Sequence, residues 1–446
     1  MKLMMETCID ADPDLLHVLL GFGVLIFFYI LLLLEVMHRT PIALLTAAIV
    51  LVLNTIMRFT SFQDLLAGVD LDTILLLMNM MIIVGVLSKT GFFHYVASKI
   101  LMKFYKNPFI LVIILSAFTA AISAFIDNVT TVLLITPIVL AIFAELGIDP
   151  RPVLLAIIFS SNIGGTATLI GDPPNIIIGS VAKLGFMAFI YNLTPIVIID
   201  FLAFLPLFKL LNRNWFKTYR NFIKKKKKQD ISLHSKVDEA LLKRTMFILF
   251  LVIALFFLED ILKYPPAIPA MIGAGLLILL ARRFIDYEEM FHFIDWSTLV
   301  FFMAMFIVMR GIERLGVIAF IANSIVSLSQ EPIVLLIIVT WISAILSAFI
   351  DNIPFVMAMI PAIPIIASAS NIDPTPLYWA LSLGACLGGN GTIIGASANI
   401  VVTGISEKHG YHISFNYFLK QGMFIVLLTV GLSTIYLVAR YGIPMN

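Results

Sequence analysis

Cysteine is nearly absent: Cys8 and Cys386 are the only two. That excludes a disulfide framework and a multi-thiolate metal cage. The seven histidines show no His-Glu-x-x-His spacing, and no Gly-Lys pair occurs anywhere, so neither a zincin site nor a Walker phosphate loop is present. Charge is scarce as well. Asp, Glu, Lys and Arg make up 13% of the chain, against about a quarter in a typical soluble protein. In their place stand apolar residues, 61% of 446 positions, with a mean hydropathy of +1.05. They fall into many separate runs of the roughly 20 residues that one helical crossing of a bilayer needs. A soluble domain of ordinary size has nowhere to fit. The N-terminal stretch carries Lys2 beside Glu6, Asp10, Asp12 and Asp14. The apolar run 15–34 behind it exceeds a signal-peptide core and lacks a small-residue cleavage site, so it predicts a first membrane helix.

Full spans are expected at 15–35, 41–57, 72–88 and 190–211, with an interrupted one at 152–182. The second half offers 245–262, 266–282, 297–311 and 417–440, with an interrupted span at 376–406. Two further apolar segments, 108–146 and 332–369, are broken by Asp127-Asn128 and Asp351-Asn352, and their length fits a re-entrant helical hairpin with its tip at the break. Between the halves, 212–244 is hydrophilic and holds the lysine run 224–228. It reads as a cytoplasmic linker by the positive-inside rule, with anionic-lipid binding as the alternative. Cytoplasmic placement of the linker puts Arg39, Lys89, Lys99, Lys103, Lys106, Arg282, Arg283 and Lys408 inside, and both termini outside. The segment 92–106 reads as an interfacial amphipathic helix.

The chain repeats itself. Ser-Ala-Phe-Ile-Asp-Asn at 123–128 recurs verbatim at 347–352, an offset of 224. Gly-Gly-Thr-Ala-Thr-Leu-Ile-Gly-Asp-Pro-Pro-Asn-Ile at 164–176 is matched by Gly-Gly-Asn-Gly-Thr-Ile-Ile-Gly-Ala-Ser-Ala-Asn-Ile at 388–400, at the same offset of 224. Each half then has about five spans plus one hairpin, an odd number of crossings that inverts the second copy, as in secondary transporters. The expected architecture is an all-α polytopic membrane protein. It has a first repeat at 1–211, a basic linker at 212–244 and an inverted second repeat at 245–446.

Polar groups at the breaks carry the expected chemistry. Asp127 and Asp351 lie in apolar stretches, where a carboxylate must face water, a cation or a partner. Each also qualifies as a helix cap for the returning arm of its hairpin. Asn128, Thr130 and Thr131 follow the first tip; Asn352 follows the second, where Ile353-Pro354 makes the tip chemically different. The first interrupted span offers Thr166, Thr168, Asp172 and Asn175, and the second Asn390, Thr392, Ser397 and Asn399, with Ala396 in the place of Asp172. Glycine and proline free carbonyls and half-helix ends for ligand binding at such breaks; a plain kink is the alternative. Arg310, Glu313 and Arg314 read as a solvated interfacial cluster, and Asp200 as a proton site or a paired carboxylate. No metal-binding or catalytic set is expected, and no nucleic-acid partner.

Ile-Asp-Asn-Val-Thr-Thr at 126–131, Gly-Thr-Ala-Thr-Leu-Ile-Gly-Asp-Pro-Pro-Asn at 165–175 and the second Asp-Asn at 351–352 resemble the ion transporter superfamily. The branch is that of the arsenical pump membrane protein, NhaD-type sodium/proton antiporters and the melanosomal P protein. The resemblance implies scaffold and transport parts, elevator-type alternating access, placement in the plasma (inner) membrane and often a dimer. For arsenical pumps it also allows a soluble ATPase partner. Its members' substrates are arsenite and antimonite, sodium and protons, or anions. Arsenite is uncharged at neutral pH, so hydroxyls and amides suffice to bind it without a thiolate cage. The three aspartates suit H+ or Na+ as coupling ion, and no arginine cluster marks a di- or tricarboxylate site. The expected function is therefore proton-coupled efflux of arsenite or antimonite. The alternatives are sodium/proton antiport or anion transport within the same superfamily. An intramembrane aspartyl protease is excluded, because Leu169-Ile170-Gly171 precedes Asp172 where Gly-x-Gly would be required.

Overall fold

A computed structural model describes residues 15–33, 37–225 and 237–442. The acidic N-terminus, Glu35 and residues 226–228 of the lysine run lie outside the described residues. Among the described residues every regular element is a helix, as a chain without water-satisfied backbone in the bilayer requires. In the first half these are α1 (Leu15–Leu33), α2 (Arg39–Met57), α3 (Phe62–Ala67), α4 (Leu71–Lys89), α5 (Phe92–Phe104), α6 (Pro108–Ser123), α7 (Asn128–Leu146), α8 (Arg151–Gly165), α9 (Pro173–Ala182), α10 (Phe186–Asn192) and α11 (Thr194–Leu211). A linking helix α12 (Arg213–Lys225) follows. The second half contains α13 (Glu239–Leu262), α14 (Ala267–Ala281), α15 (Tyr287–Phe291), α16 (Trp296–Arg314), α17 (Val317–Leu328), α18 (Pro332–Phe349), α19 (Asn352–Met359), α20 (Ala362–Ala369), α21 (Thr375–Gly388), α22 (Ser397–Lys408) and α23 (Phe415–Tyr441). Nine of the described helices are long and apolar enough to cross a bilayer, or up to 11 if each bent pair counts as one span.

The repeat survives element by element. At the offset of the sequence match, α6, α8 and α9 fall on α18, α21 and α22, and α7 falls on α19 and α20 together. The helices α11 and α23 are counterparts too, and they run antiparallel. Asn212 at the end of α11 donates to Gln421 Oε1 near the start of α23 at 2.7 Å. At the other end, Tyr436 and Tyr441 donate to Asn192 at 2.8 and 2.6 Å. Corresponding helices that run in opposite directions make the second repeat an inverted copy of the first.

Local sequence explains the breaks. Pro108 occupies the first turn of α6, where its missing N–H costs nothing, and Gly147 closes α7 with φ +69°. Lys183 stops α9 in a left-handed conformation, and the chain turns by 115° into the short helix α10, an element the apolar run had concealed. Ile360 and Pro361 bend α19 against α20 by 42°. Several hydroxyls inside the apolar helices are satisfied locally: Thr46, Thr119, Thr340 and Thr429 each donate to the carbonyl four residues back.

The helices group into two compact units, and each unit draws on both repeats. The smaller holds α1, α2, α3, α16, α17 and α20. Within it α2 packs on α16, with Gly311 facing Val50, and Arg39 donates to Thr298 at 3.0 Å. The Arg310 cluster, expected to be solvated, is instead a partly buried ion network in this unit. Asp64 of α3 accepts from Arg310 at 2.7 Å and Arg314 at 2.8 Å, with these side chains 17–26% exposed. The larger unit holds α4 to α15, α18 and α21 to α23, together with the N-terminal turn of α19. All of the polar breaks described next lie within it.

Candidate functional site

Two pairs of hydroxyl hydrogen bonds, one in each repeat, fasten a hairpin tip to an interrupted helix. Ser123 Oγ donates to the Ser161 carbonyl at 2.7 Å, and Ser347 Oγ to the Ala385 carbonyl at 2.6 Å. Thr168 Oγ1 donates to the Ala124 carbonyl, and Thr392 Oγ1 to the Ala348 carbonyl at 2.5 Å. Glycine is needed where the backbones meet. A Cβ on Gly164 would penetrate the Ala120 backbone, and one on Gly388 that of Ala344.

Beyond each break the chain is extended at Asp172 (φ −141°, ψ 132°) and at Ala396 (φ −150°, ψ 143°) before the next half-helix begins. One asparagine per repeat pins the open loop. Asn175 Nδ2 donates to the Thr166 and Thr168 carbonyls at 3.1 and 2.9 Å, and Asn399 Nδ2 to the Gly389 and Thr392 carbonyls at 2.7 and 2.8 Å. The carbonyl oxygens freed by the helix break are thus partly satisfied from within the same repeat.

A buried amide network then joins the two breaks. Asn162 Nδ2 donates to Asn390 Oδ1 and Asn399 Oδ1, both at 3.0 Å. Asn128 Nδ2 donates to Asn162 Oδ1 and Asp172 Oδ1, both at 3.2 Å. On the other side Asn175 Oδ1 accepts from Ser382 Oγ at 2.6 Å and from the Cys386 thiol at 3.6 Å. Cys386 and Asn352 stand beside Asp172, close enough for weak side-chain hydrogen bonds to its carboxylate. Three polar atoms in this cluster make no hydrogen bond of ordinary geometry: Asp172 Oδ2, Asn352 Nδ2 and Asn390 Nδ2. Their residues are 1%, 3% and 0% exposed. A buried polar atom left unpaired costs about 1–3 kcal/mol, and three in one cluster make it the candidate binding site.

The structure divides the residues singled out from sequence. Asp127 caps α7 by accepting from the Thr130 backbone N–H at 2.9 Å. Asp351 accepts from Ser397 Oγ at 2.9 Å and from the Ile353 N–H at 3.4 Å. Thr131 and Thr166 direct their hydroxyls to the Ile126 and Asn162 carbonyls, at 3.4 and 2.8 Å. Asn128, Asp172, Asn352 and Asn390 share the amide cluster, three of them with bonding capacity to spare. Sequence reasoning missed Asn162 and Ser382, and weighed Cys386 only as a thiolate ligand. The available signal was the repeat itself, because Asn162 and Cys386 occupy corresponding positions. Asp200 lies apart, in α11, where it accepts from Ser433 Oγ at 3.0 Å.

Buried, unpaired polar atoms at paired helix breaks, in a helical chain built of inverted repeats, define a secondary membrane transporter. The profile of the CitMHS family, described as citrate transporters, matches residues 29–384. The chain belongs to that family, within the ion transporter superfamily. An uncharacterized transporter of Mycobacterium bovis is 37% identical over 423 residues, covering 94% of this chain and 97% of the relative. The P protein of Sus scrofa is 33% identical over 512 residues, covering 96% of this chain and 60% of that longer protein. In fold, the crystal structure of the Alcanivorax borkumensis YdaH transporter matches with a TM-score of 0.56 at 14% identity, covering 86% of this chain and 89% of the other.

Proposed function

We propose that the protein is a proton-coupled efflux carrier for a small uncharged hydroxo species, arsenite or antimonite. The observation that carries this reading is the mixed character of the unpaired atoms. Asp172 Oδ2 is an acceptor, and Asn352 Nδ2 and Asn390 Nδ2 are donors. A molecule bearing several hydroxyls donates to the first and accepts from the other two. A bare cation wants oxygen acceptors alone and is repelled by amide N–H groups. A tricarboxylate anion, the cargo in the family's description, needs fixed positive charge, and no Lys, Arg or His takes part in the cluster. In the first repeat the half-helix ends do not supply that charge. Pro173 and Pro174 begin α9 without N–H groups, and the first turn of α7 is already capped by Asp127. In the second, by contrast, α22 begins at Ser397 with backbone N–H groups and no side-chain cap.

Proton coupling follows from competition at one atom. A proton and a substrate hydroxyl both seek Asp172 Oδ2, so protonation from one side displaces substrate there and deprotonation on the other restores its site. Sodium/proton exchange is the second reading, supported by the carboxylates Asp127, Asp172 and Asp351 near the breaks. The deciding experiment is flux in proteoliposomes under an imposed proton gradient, with arsenite, sodium and citrate supplied separately. Arsenite movement that collapses with the gradient supports the proposal. Sodium movement alone establishes the antiporter, and citrate movement alone removes both readings.

A further inference from the structure

We propose that α5 and α12 together form a docking platform for anionic phospholipid headgroups at the base of the first hairpin. The two helices are far apart in sequence, yet both pack on α6 in the larger unit. Each has an apolar face turned inward. On α5, Phe93, Ala97 and Leu101 are buried; on α12, Phe216 and Tyr219 are buried. Phe216 meets Phe109 at the start of α6 edge-on at 5.9 Å, and Tyr219 meets Phe143 of α7 at 5.9 Å. Trp215 Nε1 donates to the Asp149 carbonyl at 2.9 Å. Tyr105, just past α5, lies within electrostatic reach of Tyr219, which brings the two helices to one end of the hairpin.

The outward faces are cationic. Lys99, Lys103 and Lys106 from the first segment, and Lys209, Arg213, Lys217, Arg220 and Lys224 from the second, are all exposed. Neither helix contains an acidic residue. Among the described residues Glu145 and Asp149 are acids near this end, and Asp149 is held by Arg151 at 2.8 Å. The Lys209 ammonium sits 4.1 Å above the Phe109 ring, so the cationic row runs from the end of α11 across the start of α6. Amphipathic helices with an aromatic face anchored in protein and a row of lysines and arginines facing out match the negative headgroups of a cytoplasmic leaflet. The positive-inside rule puts the row on that side.

The test uses the full chain in nanodiscs. Phosphatidylglycerol is titrated into a phosphatidylcholine background, and retained lipid is read by native mass spectrometry beside the unfolding temperature. The variant Lys103→Gln/Lys217→Gln/Arg220→Gln is compared with the wild type and with the control Arg282→Gln/Arg283→Gln/Lys408→Gln. With roughly a five-fold effect per cation, the first variant retains phosphatidylglycerol roughly a hundredfold more weakly, while the control matches wild type. Retention in the wild type also falls at about 1 M salt, where the screening length drops to about 3 Å. Equal retention by all three proteins, or equal loss in both variants, overturns the platform.

Discussion

Replacing Asp172 by Asn isolates the charge of the proposed site from its shape. The Oδ1 acceptor that takes the Asn128 N–H at 3.2 Å is kept. The atom changed is Oδ2, which makes no hydrogen bond of ordinary geometry within the protein. The fold therefore loses no bond, and the unfolding temperature should stay near that of the wild type. Substrate loses a hydrogen bond to a charged acceptor, which contributes about 1.5–3 kcal/mol. At about 1.4 kcal/mol per decade, that is roughly a 10- to 150-fold loss of affinity. Because the proton acceptor is lost with the same atom, flux should also cease to respond to an imposed proton gradient. Antimonite binding to purified protein, by equilibrium dialysis with metal detection, gives the first quantity, and proteoliposome flux gives the second. Wild-type affinity together with an intact response to the proton gradient in Asp172→Asn would refute the assignment.

Asn352→Ala and Asn390→Ala each remove one unpaired donor, and Asn390→Ala also removes the Oδ1 that accepts from Asn162. Both should weaken antimonite binding by roughly 2- to 13-fold in the same dialysis assay, as for loss of one neutral hydrogen bond of about 0.5–1.5 kcal/mol. Gly164→Ala and Gly388→Ala force a Cβ into the Ala120 and Ala344 backbones. Each should cost about 1–3 kcal/mol, read as matching drops in unfolding temperature, because the two contacts are equivalent. Asp64→Asn should destabilise the folded protein by about 1–3 kcal/mol, since the pair is only partly buried. Its carboxyl is held well below the usual carboxylate range by hydrogen bonds from Arg314 and then Arg310, against the opposing effect of partial burial. A depressed carboxyl stabilises the fold above its unfolded value of about 4, and that stabilisation is lost as pH falls through the folded value. Acid unfolding curves of Asp64→Asn should therefore lack the drop below about pH 4 that the wild type shows.

The membrane helices were legible because crossing a bilayer demands a long apolar run, and little else satisfies that demand. The hairpin tips were legible for the opposite reason: Asp127-Asn128 and Asp351-Asn352 are expensive interruptions of such runs. The repeat added the correspondence between halves. What stayed hidden are residues whose roles depend on a distant partner. Asn162 looks like an isolated polar residue until Asn390 and Asn399, more than 200 positions away, close on it. Asp64 carries no local sign that Arg310 and Arg314 will meet it from 246 and 250 positions on. The linker's first part was read by composition as a hydrophilic stretch. Its aromatic residues at 215, 216 and 219 make α12 a helix that docks, a spacing masked by the lysines around it.

The most direct test of the transport site is a structure of the protein with antimonite bound, because antimony scatters strongly enough to be located without assumption. The account predicts one strong density peak in contact with Asp172, within hydrogen-bonding distance of Asn352 and Asn390, and its disappearance in Asp172→Asn. A peak elsewhere, for example beside Asp200 and Ser433, or an empty cluster in protein that still transports antimonite, would contradict it.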